Sequence, residues 1–278
     1  MNEQDKALLR EKGISEEQFR AQLQSFATGF PYLRLYGAAG IGNGIMQLTD
    51  EEADRYVSVW NEYKAQPRRI TKFVPASGAA SRMFKDLFAF LDADYAEPTT
   101  DFEKTFFARI HDFAFFDALN DACELNAGMG VEALVSQGRY QEVVAQLLGA
   151  DGLDYGSLPK GLLQFHTYPD EARTPLEEHL AEAALYASSQ GTARLHFTVS
   201  TQHRELFRDL IDRVKAAYEA QYRTTFEISL SEQKPATDTV AANPDGTPFR
   251  QGDGSLLFRP GGHGALIENL NDLDADVV

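Results

Sequence analysis

The stretch that decides the fold is Lys72-Phe-Val-Pro-Ala-Ser-Gly-Ala-Ala-Ser-Arg-Met83, whose pattern is that of a strand, a tight turn and a helix. Its apolar first half predicts a short strand over residues 72–76, and the apolar face that starts near Arg82 predicts a helix over residues 82–91. The small residues between them predict a turn in which a ligand can approach the backbone. Such a unit is typical of an open α/β sheet, where ligands bind at the carboxyl ends of the strands.

Strands and helices continue to alternate in the second half of the chain. Thr174-Pro-Leu-Glu177 predicts a helix start, because it combines an N-cap threonine with proline at the first and glutamate at the third helical position. Strands are predicted over residues 161–166, 195–199 and 226–230, and a long helix over residues 201–222. This alternation predicts an α/β fold with a mainly parallel sheet that is covered on both faces.

Two regions depart from the alternation. Residues 1–67 have helical periodicity, and residues 96–152 predict a phenylalanine-rich helical insertion. We therefore expect an N-terminal helical region over 1–67 and an α/β domain over 68–278. The last residues, Asp276-Val-Val278, have the pattern of a strand start, and we expect the chain to be truncated at its C-terminus.

Capping residues predict where the helices of residues 1–67 begin. Ser15 and Gln18 form a predicted capping box, and Thr49 precedes an acidic first turn. The helix that begins at Thr49 carries aromatic and apolar side chains at helical spacing on one face: Tyr56, Val59, Trp60 and Tyr63.

Charge and cysteine content exclude several classes of protein. The 278 residues include 26 Lys+Arg and 42 Asp+Glu, which gives a net charge of −16. Such a chain repels phosphate backbones and anionic lipid, so we expect neither a nucleic acid nor a membrane as partner. The single cysteine, Cys123, excludes an internal disulfide and fits a reducing compartment. The polar N-terminus lacks the apolar core of a signal peptide, and we expect a cytoplasmic protein.

The candidate binding residues lie in three segments that are rich in small residues. A turn before a helix exposes backbone N–H groups to a phosphate, an arginine donates two parallel hydrogen bonds, and a lysine between proline and glycine presents a fixed cation. Glycines around a histidine let a flat ligand approach the backbone. Each segment has a plainer interpretation as an ordinary turn. The candidates are Ser77, Gly78, Ala79, Ala80, Ser81 and Arg82, then Lys160 and Gly161, then Gly261, Gly262, His263 and Gly264.

These three segments resemble motifs of nucleotide-sugar pyrophosphorylases. Phe73-Val-Pro-Ala-Ser-Gly-Ala-Ala-Ser-Arg-Met83 is similar to their signature, A-x-G-x-G-[ST]-R-[ML]. Pro159-Lys-Gly161 and Pro260-Gly-Gly-His-Gly-Ala-Leu266 are similar to the P-K-G and P-x-G-x-G-x-L of the UDP-sugar branch, in the same order. From about residue 30 to the end, the chain also resembles a bacterial family that carries a domain of unknown function.

The resemblance implies a Rossmann-like nucleotidyltransferase-type fold. It implies transfer of a nucleoside monophosphate from a nucleoside triphosphate to a sugar-phosphate-like acceptor, with release of pyrophosphate. Arg82 and Lys160 would be catalytic, and the other candidate residues would contact the nucleotide or the sugar. The resembling enzymes hold Mg²⁺ with an aspartate that follows the next strand, so we expect that ligand beyond Val278 and assign no metal ligand within the chain.

Other functions stay open at this point. The same fold could serve as a non-catalytic module that binds a nucleotide-sugar or a protein. Asp274-Ala-Asp276 spells the D-x-D of glycosyltransferases that use nucleotide-sugars. The histidines show no metal-binding spacing, and Cys123 has no activating neighbour in the sequence. Lys234 and Asp238 follow a predicted strand and are weaker site candidates.

Overall fold

The computed structural model describes the whole chain except the side chain of His263. Helices are the commoner element. The α-helices, numbered in chain order, are α1 (Glu3–Lys12), α2 (Glu16–Thr28), α3 (Asp50–Lys64), α4 (Lys85–Leu91), α5 (Asp101–Ala108), α6 (Phe116–Ala127), α7 (Val131–Ser136), α8 (Tyr140–Leu148), α9 (Pro175–Tyr186), α10 (Arg204–Tyr222) and α11 (Ile267–Asn271).

The strands are short apart from three. They are β1 (Gly40–Ile41), β2 (Gly44–Ile45), β3 (Thr71–Pro75), β4 (His166–Thr167), β5 (Ala172–Arg173), β6 (Ser188–Ser189), β7 (Thr192–Val199), β8 (Thr225–Glu232), β9 (Thr239–Val240) and β10 (Phe258–Arg259).

The chain divides into two compact units. One, here called the sheet unit, is Thr71–Leu230, and the other, the terminal unit, joins Met1–Ile70 to Ser231–Val278. The sequence predicts a domain boundary after residue 67 and assigns residues 231–278 to the same domain as the sheet. In the structure, those residues form a unit with the N-terminal helices.

The sheet unit is built around β7. Strand β3 runs parallel to β7, with Thr71 opposite Arg194 and Pro75 opposite Thr198, and β8 also pairs with β7. Strand β6 is antiparallel to β7. The α/β class is therefore confirmed, and the sheet is mixed because the two-residue β6 is antiparallel to β7.

A two-residue turn explains the antiparallel strand. Gln190 and Gly191 connect β6 to β7 and have φ angles of 51° and 74°. Two successive residues with positive φ are the hallmark of the hairpin turn whose twist matches that of its strands. The chain thus folds back onto β7 at once, a short-range event that the predicted strand–helix alternation did not include.

Two hydrophobic clusters hold the sheet unit together. The buried side of β7 supplies Leu195, Phe197 and Val199, which pack with residues of α9 and α10 such as Leu180 and Phe207. The second cluster joins α4 to the helices α5–α8, which lie in the region predicted to be a helical insertion.

Two boundaries near the predicted loop were wrong. Residues 161–166 do not form a strand: Lys160–Leu162 is a 3₁₀ turn, followed by the small hairpin of β4 and β5. The helix after the loop begins at Lys85 and not at Arg82, because residues 81–84 form a turn closed by the bond from Met83 N to Ala80 O (2.8 Å). Ala80 is fully buried and anchors that turn in the core.

The terminal unit has a small core of its own. Leu9, Ile14 and Phe19 of the N-terminal helices pack against Val240 and Phe258. An ion pair joins the two chain segments, since Arg250 donates to both carboxylate oxygens of buried Asp5 at 2.8 and 2.9 Å, and this bond lowers the pKa of Asp5 to about 2.

The two ends of the terminal unit also meet at one β-bridge. Val277 forms an isolated parallel bridge with Ile70, and the backbone of Arg69 exchanges hydrogen bonds with Asp276, from Arg69 N to Asp276 Oδ2 and from Asp276 N to Arg69 O, both 2.8 Å. The predicted strand start at 276–278 is thus a single bridge.

Candidate functional site

The candidate site lies at the carboxyl end of β3. The strand continues its parallel pairing one residue further, where Ala76 N donates to Thr198 O at 2.8 Å. The chain then leaves the sheet through Ser77, Gly78 and Ala79, which are exposed. A parallel strand end is where ligand-binding loops collect in α/β sheets.

The structure brings two of the three predicted segments together at this point. Ala79 forms an antiparallel bridge with Pro159, and Lys160 N donates to Gly78 O at 3.1 Å. The loop after β3 and the Pro159-Lys-Gly161 segment are therefore joined backbone to backbone, although about eighty residues separate them in the sequence.

A pocket of about 460 Å³ opens beside this junction, which we call the junction pocket. This volume is in the range of small-molecule sites. Its lining is mostly apolar, with one lysine and one histidine: Val74, Pro75, Ala76, Gly78, Met83, Lys160, Gly161, Phe165, Pro175, Leu176, His179, Phe197 and Phe207.

Lys160 is the cation of the junction pocket. Its side chain is exposed and, among the described residues, makes neither an ion pair nor a hydrogen bond. Lys72 of the neighbouring strand, by contrast, is paired with Glu182. The ammonium group of Lys160 is therefore uncommitted and can take an anionic ligand without breaking a bond.

Gly78 and Gly161 differ in how closely other atoms approach them. A Cβ on Gly161 would lie 3.0 Å from Cζ of Phe207, a ring that is fully buried. A Cβ on Gly78 would meet nothing within 4 Å, and Gly78 does not have a positive φ. Packing is thus tight at 161, where a Cβ would require the Phe207 ring to shift, whereas at 78 the missing side chain only leaves the pocket more open.

The other predicted residues of the first loop lie around the junction pocket without lining it. Ser77, Ala79, Ser81 and Arg82 are exposed, and Arg82 makes no ion pair among the described residues. Ala80 is buried under the loop. The helix that follows has only seven residues and no side-chain cap, so the anion-binding helix terminus predicted at Arg82 is not formed there.

The third predicted segment belongs to the terminal unit. Gly261 is packed tightly, since a Cβ there would lie 2.8 Å from Ala265 Cβ and 3.0 Å from Thr237 O. Gly262 and Gly264 have open space around them. The side chain of His263 lies outside the described residues.

His179 is a residue of the junction pocket that the sequence did not single out. It lies on the first turns of α9, and its Nδ1 is 3.2 Å from Oε2 of Glu182, one helical turn later. Glu182 in turn forms an ion pair with the half-buried Lys72 of β3. Burial lowers the pKa of His179, and the charge of Lys72 lowers it further. Lys72 also holds the pKa of Glu182 below its ordinary value.

This arrangement gives a neutral imidazole with one committed nitrogen. If Nδ1–H donates to the Glu182 carboxylate, Nε2 is left as an acceptor, and it has no partner among the described residues. A histidine that is oriented by a carboxylate can accept a proton from a ligand. The i, i+3 spacing of His179 and Glu182 was visible in the sequence, but the contribution of Lys72 from a strand was not.

The junction pocket does not fit Mg²⁺. Magnesium prefers oxygen ligands, carboxylates above all, and no aspartate or glutamate lines the pocket. Within the part of the chain that the structure describes, no three His, Cys, Asp or Glu side chains are grouped to hold a metal ion. In the same residues, no helix is long and apolar enough to cross a membrane.

Comparison with known proteins identifies the family. The family model described as "Domain of unknown function (DUF4301)" matches residues 2–278. The chain belongs to the DUF4301 family. No curated protein and no solved structure matches this DUF4301 chain.

Proposed function

We propose that the junction pocket binds the phosphates of a nucleoside triphosphate, and that the chain transfers the nucleoside monophosphate to a sugar-phosphate-like acceptor. One observation carries the proposal. The loop after β3 and the Pro159-Lys-Gly161 segment, which resemble successive pyrophosphorylase motifs, are joined through Gly78 and Lys160 at a strand end.

Charge supports a phosphate ligand at this place. The chain carries a net charge of −16, so an anion is repelled over most of the surface and needs a local cation. Lys160 supplies it, and the exposed Arg82 lies on the same loop as Gly78. Charge neutralisation and positioning supply most of the rate in phosphoryl-type transfer.

His179 gives the pocket a proton acceptor. In the proposed reaction, an oxygen of the acceptor phosphate attacks the α-phosphorus, and the bond from the α-phosphorus to the bridging oxygen of pyrophosphate breaks. Nε2 of His179 would take the remaining proton of the attacking phosphate, with Glu182 stabilising the imidazolium. Lys160 would stabilise the leaving pyrophosphate.

Titration calorimetry tests the binding step. UTP, CTP, GTP and ATP are each titrated into the protein with and without magnesium chloride. Lys160→Ala should weaken the binding of the preferred nucleotide by about ten- to a hundredfold, because a hydrogen bond to a charged group contributes about 1.5–3 kcal/mol. Lys104→Ala, which removes an exposed helical lysine outside the junction pocket, should leave the affinity unchanged. No heat with any of the four nucleotides would refute the proposal.

One observation favours a second function, a non-catalytic nucleotide-binding module. The lining of the junction pocket lacks the carboxylate that a metal-dependent transferase needs. Nucleotide binding that depends on Lys160 without pyrophosphate release, over a range of sugar phosphates, would support the module and exclude the transferase.

A further inference from the structure

A second cavity of the sheet unit adjoins the junction pocket. It has a volume of about 480 Å³ and shares two wall residues, Met83 and Phe165, with the junction pocket. We call it the aromatic cavity. A ligand held at Lys160 could therefore extend into it without leaving the sheet unit.

The walls of the aromatic cavity are mainly phenylalanine rings. Phe113 and Phe115 are stacked with their centroids 5.0 Å apart and an angle of 11° between the rings. Phe106 lies 5.2 Å from Phe113, and Phe102 is stacked on Phe106 at 6.4 Å. Nearly parallel rings of this kind offer flat faces to a planar ligand.

Some of these rings face solvent. Phe102 is 42% exposed and Phe113 is 37% exposed, and Met83 on the shared wall is 48% exposed. A cluster of exposed aromatic residues around a cavity is typical of a ligand-binding site.

The polar groups of the aromatic cavity decide which ligand fits. They are Thr105, Arg109 and Asp112, and Arg109 Nε already donates to Asp112 Oδ2 at 2.7 Å. A sugar has hydroxyl groups all round and would find too few partners here. A nucleobase needs apolar contact on its faces and polar contact only at its edge, which matches rings with a few polar groups beside them.

We propose that the aromatic cavity binds the base of the nucleotide whose phosphates are held at Lys160. This inference rests on the proposed function. It gives the exposed rings of Phe102 and Phe113 a role in ligand binding, in addition to the packing of their buried neighbours. The base stacks on the exposed faces of Phe102 and Phe113, and the sugar of the nucleotide passes the shared wall at Met83 and Phe165.

Comparing a nucleotide with a ligand that has no base tests the proposal. The preferred nucleoside triphosphate and inorganic tripolyphosphate are titrated into the wild type, Phe113→Ala and Lys160→Ala. Phe113→Ala should weaken nucleotide binding by roughly five- to a hundredfold, the range of one base–aromatic stack, and leave tripolyphosphate binding unchanged. Lys160→Ala should weaken both ligands.

Two further variants serve as controls: one removes a ring outside the cavity, and the other removes a second ring inside it. Phe249→Ala removes a ring of similar exposure, 41%, in the terminal unit and should change neither affinity. Phe102→Ala should repeat the result of Phe113→Ala, and circular dichroism and thermal melting check that both cavity variants are folded.

The outcomes separate this inference from the proposed function. Nucleotide binding that depends on Lys160 and is unchanged in both phenylalanine variants would overturn the inference alone. Equal loss of nucleotide and tripolyphosphate in Phe113→Ala would overturn it as well, because the ring would then act through structure. Absence of binding to the wild type would overturn the proposed function and this inference together.

Discussion

At the scale of single residues, Gly78 and Gly161 separate packing from ligand access. Gly161→Ala places a methyl group 3.0 Å from the buried ring of Phe207, and overpacking of this kind costs about 1–3 kcal/mol. Gly78→Ala meets open space and should change the free energy of unfolding by less than about 0.5 kcal/mol. Urea denaturation measures both, and a Gly161→Ala variant as stable as the wild type would contradict the packing described here.

The titration of His179 is a second prediction at this scale. Because burial and then Lys72 lower its pKa, its C2–H resonance should titrate below the ordinary histidine value of about 6.5. Because the folded pKa lies below the unfolded one, this group does not reduce stability at neutral pH. Stability decreases as the pH falls below the unfolded pKa, and the loss levels off below the folded pKa. Lys72→Met should raise the pKa, because it removes a positive charge, and Glu182→Gln should lower it. Proton NMR over pH 4–8 measures these shifts. A Lys72→Met variant whose His179 pKa falls or stays constant would show that Lys72 does not act on the imidazole.

Single residues also show which features a local sequence pattern can predict and which it cannot. Lys160 and Gly78 were both candidates, and each could be selected from local pattern because small residues and a flanked lysine have a local meaning. Their hydrogen bond joins residues far apart in the chain, so no local pattern contains it. His179 was missed for the same reason, since its partner Glu182 is held by Lys72 on another element.

At the scale of elements, caps were the reliable signal. The capping boxes at Ser15, Thr49 and Thr174 are all formed, so the starts of α2, α3 and α9 could be predicted from the sequence. A cap is a contact between residues three apart, and the sequence alone determines it. The strand predicted over 161–166 was wrong because a short apolar run does not distinguish a strand from a 3₁₀ turn.

Helix α3 shows the limit of periodicity. Its aromatic and apolar side chains share one face in the sequence, yet none of its residues is buried. The whole range 29–66 contains no buried residue. Helices gain most of their stability from packing, so amide exchange in α3 should be much faster than in α10, whose Phe207 and Leu210 lie in the core. Chymotrypsin should cut first near Tyr32 and Tyr36, which are fully exposed. Protection of α3 equal to that of α10 would show that a further surface covers it.

At the scale of the whole molecule, the α/β class could be predicted and the sheet topology could not. Alternating periodicity identifies element types, but the turn at Gln190 and Gly191 adds an antiparallel strand, and the compact unit formed by residues 1–70 and 231–278 depends on long-range contacts such as that between Arg250 and Asp5. The charge of −16 is visible in the sequence and bears on the choice of ligand. An anionic ligand needs a local cation in such a field, and Lys160 has that position in the junction pocket.

The measurement that tests this account most directly is hydrogen exchange, read by mass spectrometry, with and without saturating nucleoside triphosphate. With nucleotide bound, exchange should be slower both in peptides that cover residues 76–84 and in peptides that cover residues 158–163. The Lys160→Ala variant should lose this protection, and the Lys104→Ala variant should keep it. Unchanged exchange in both segments at a nucleotide concentration that saturates binding would contradict it.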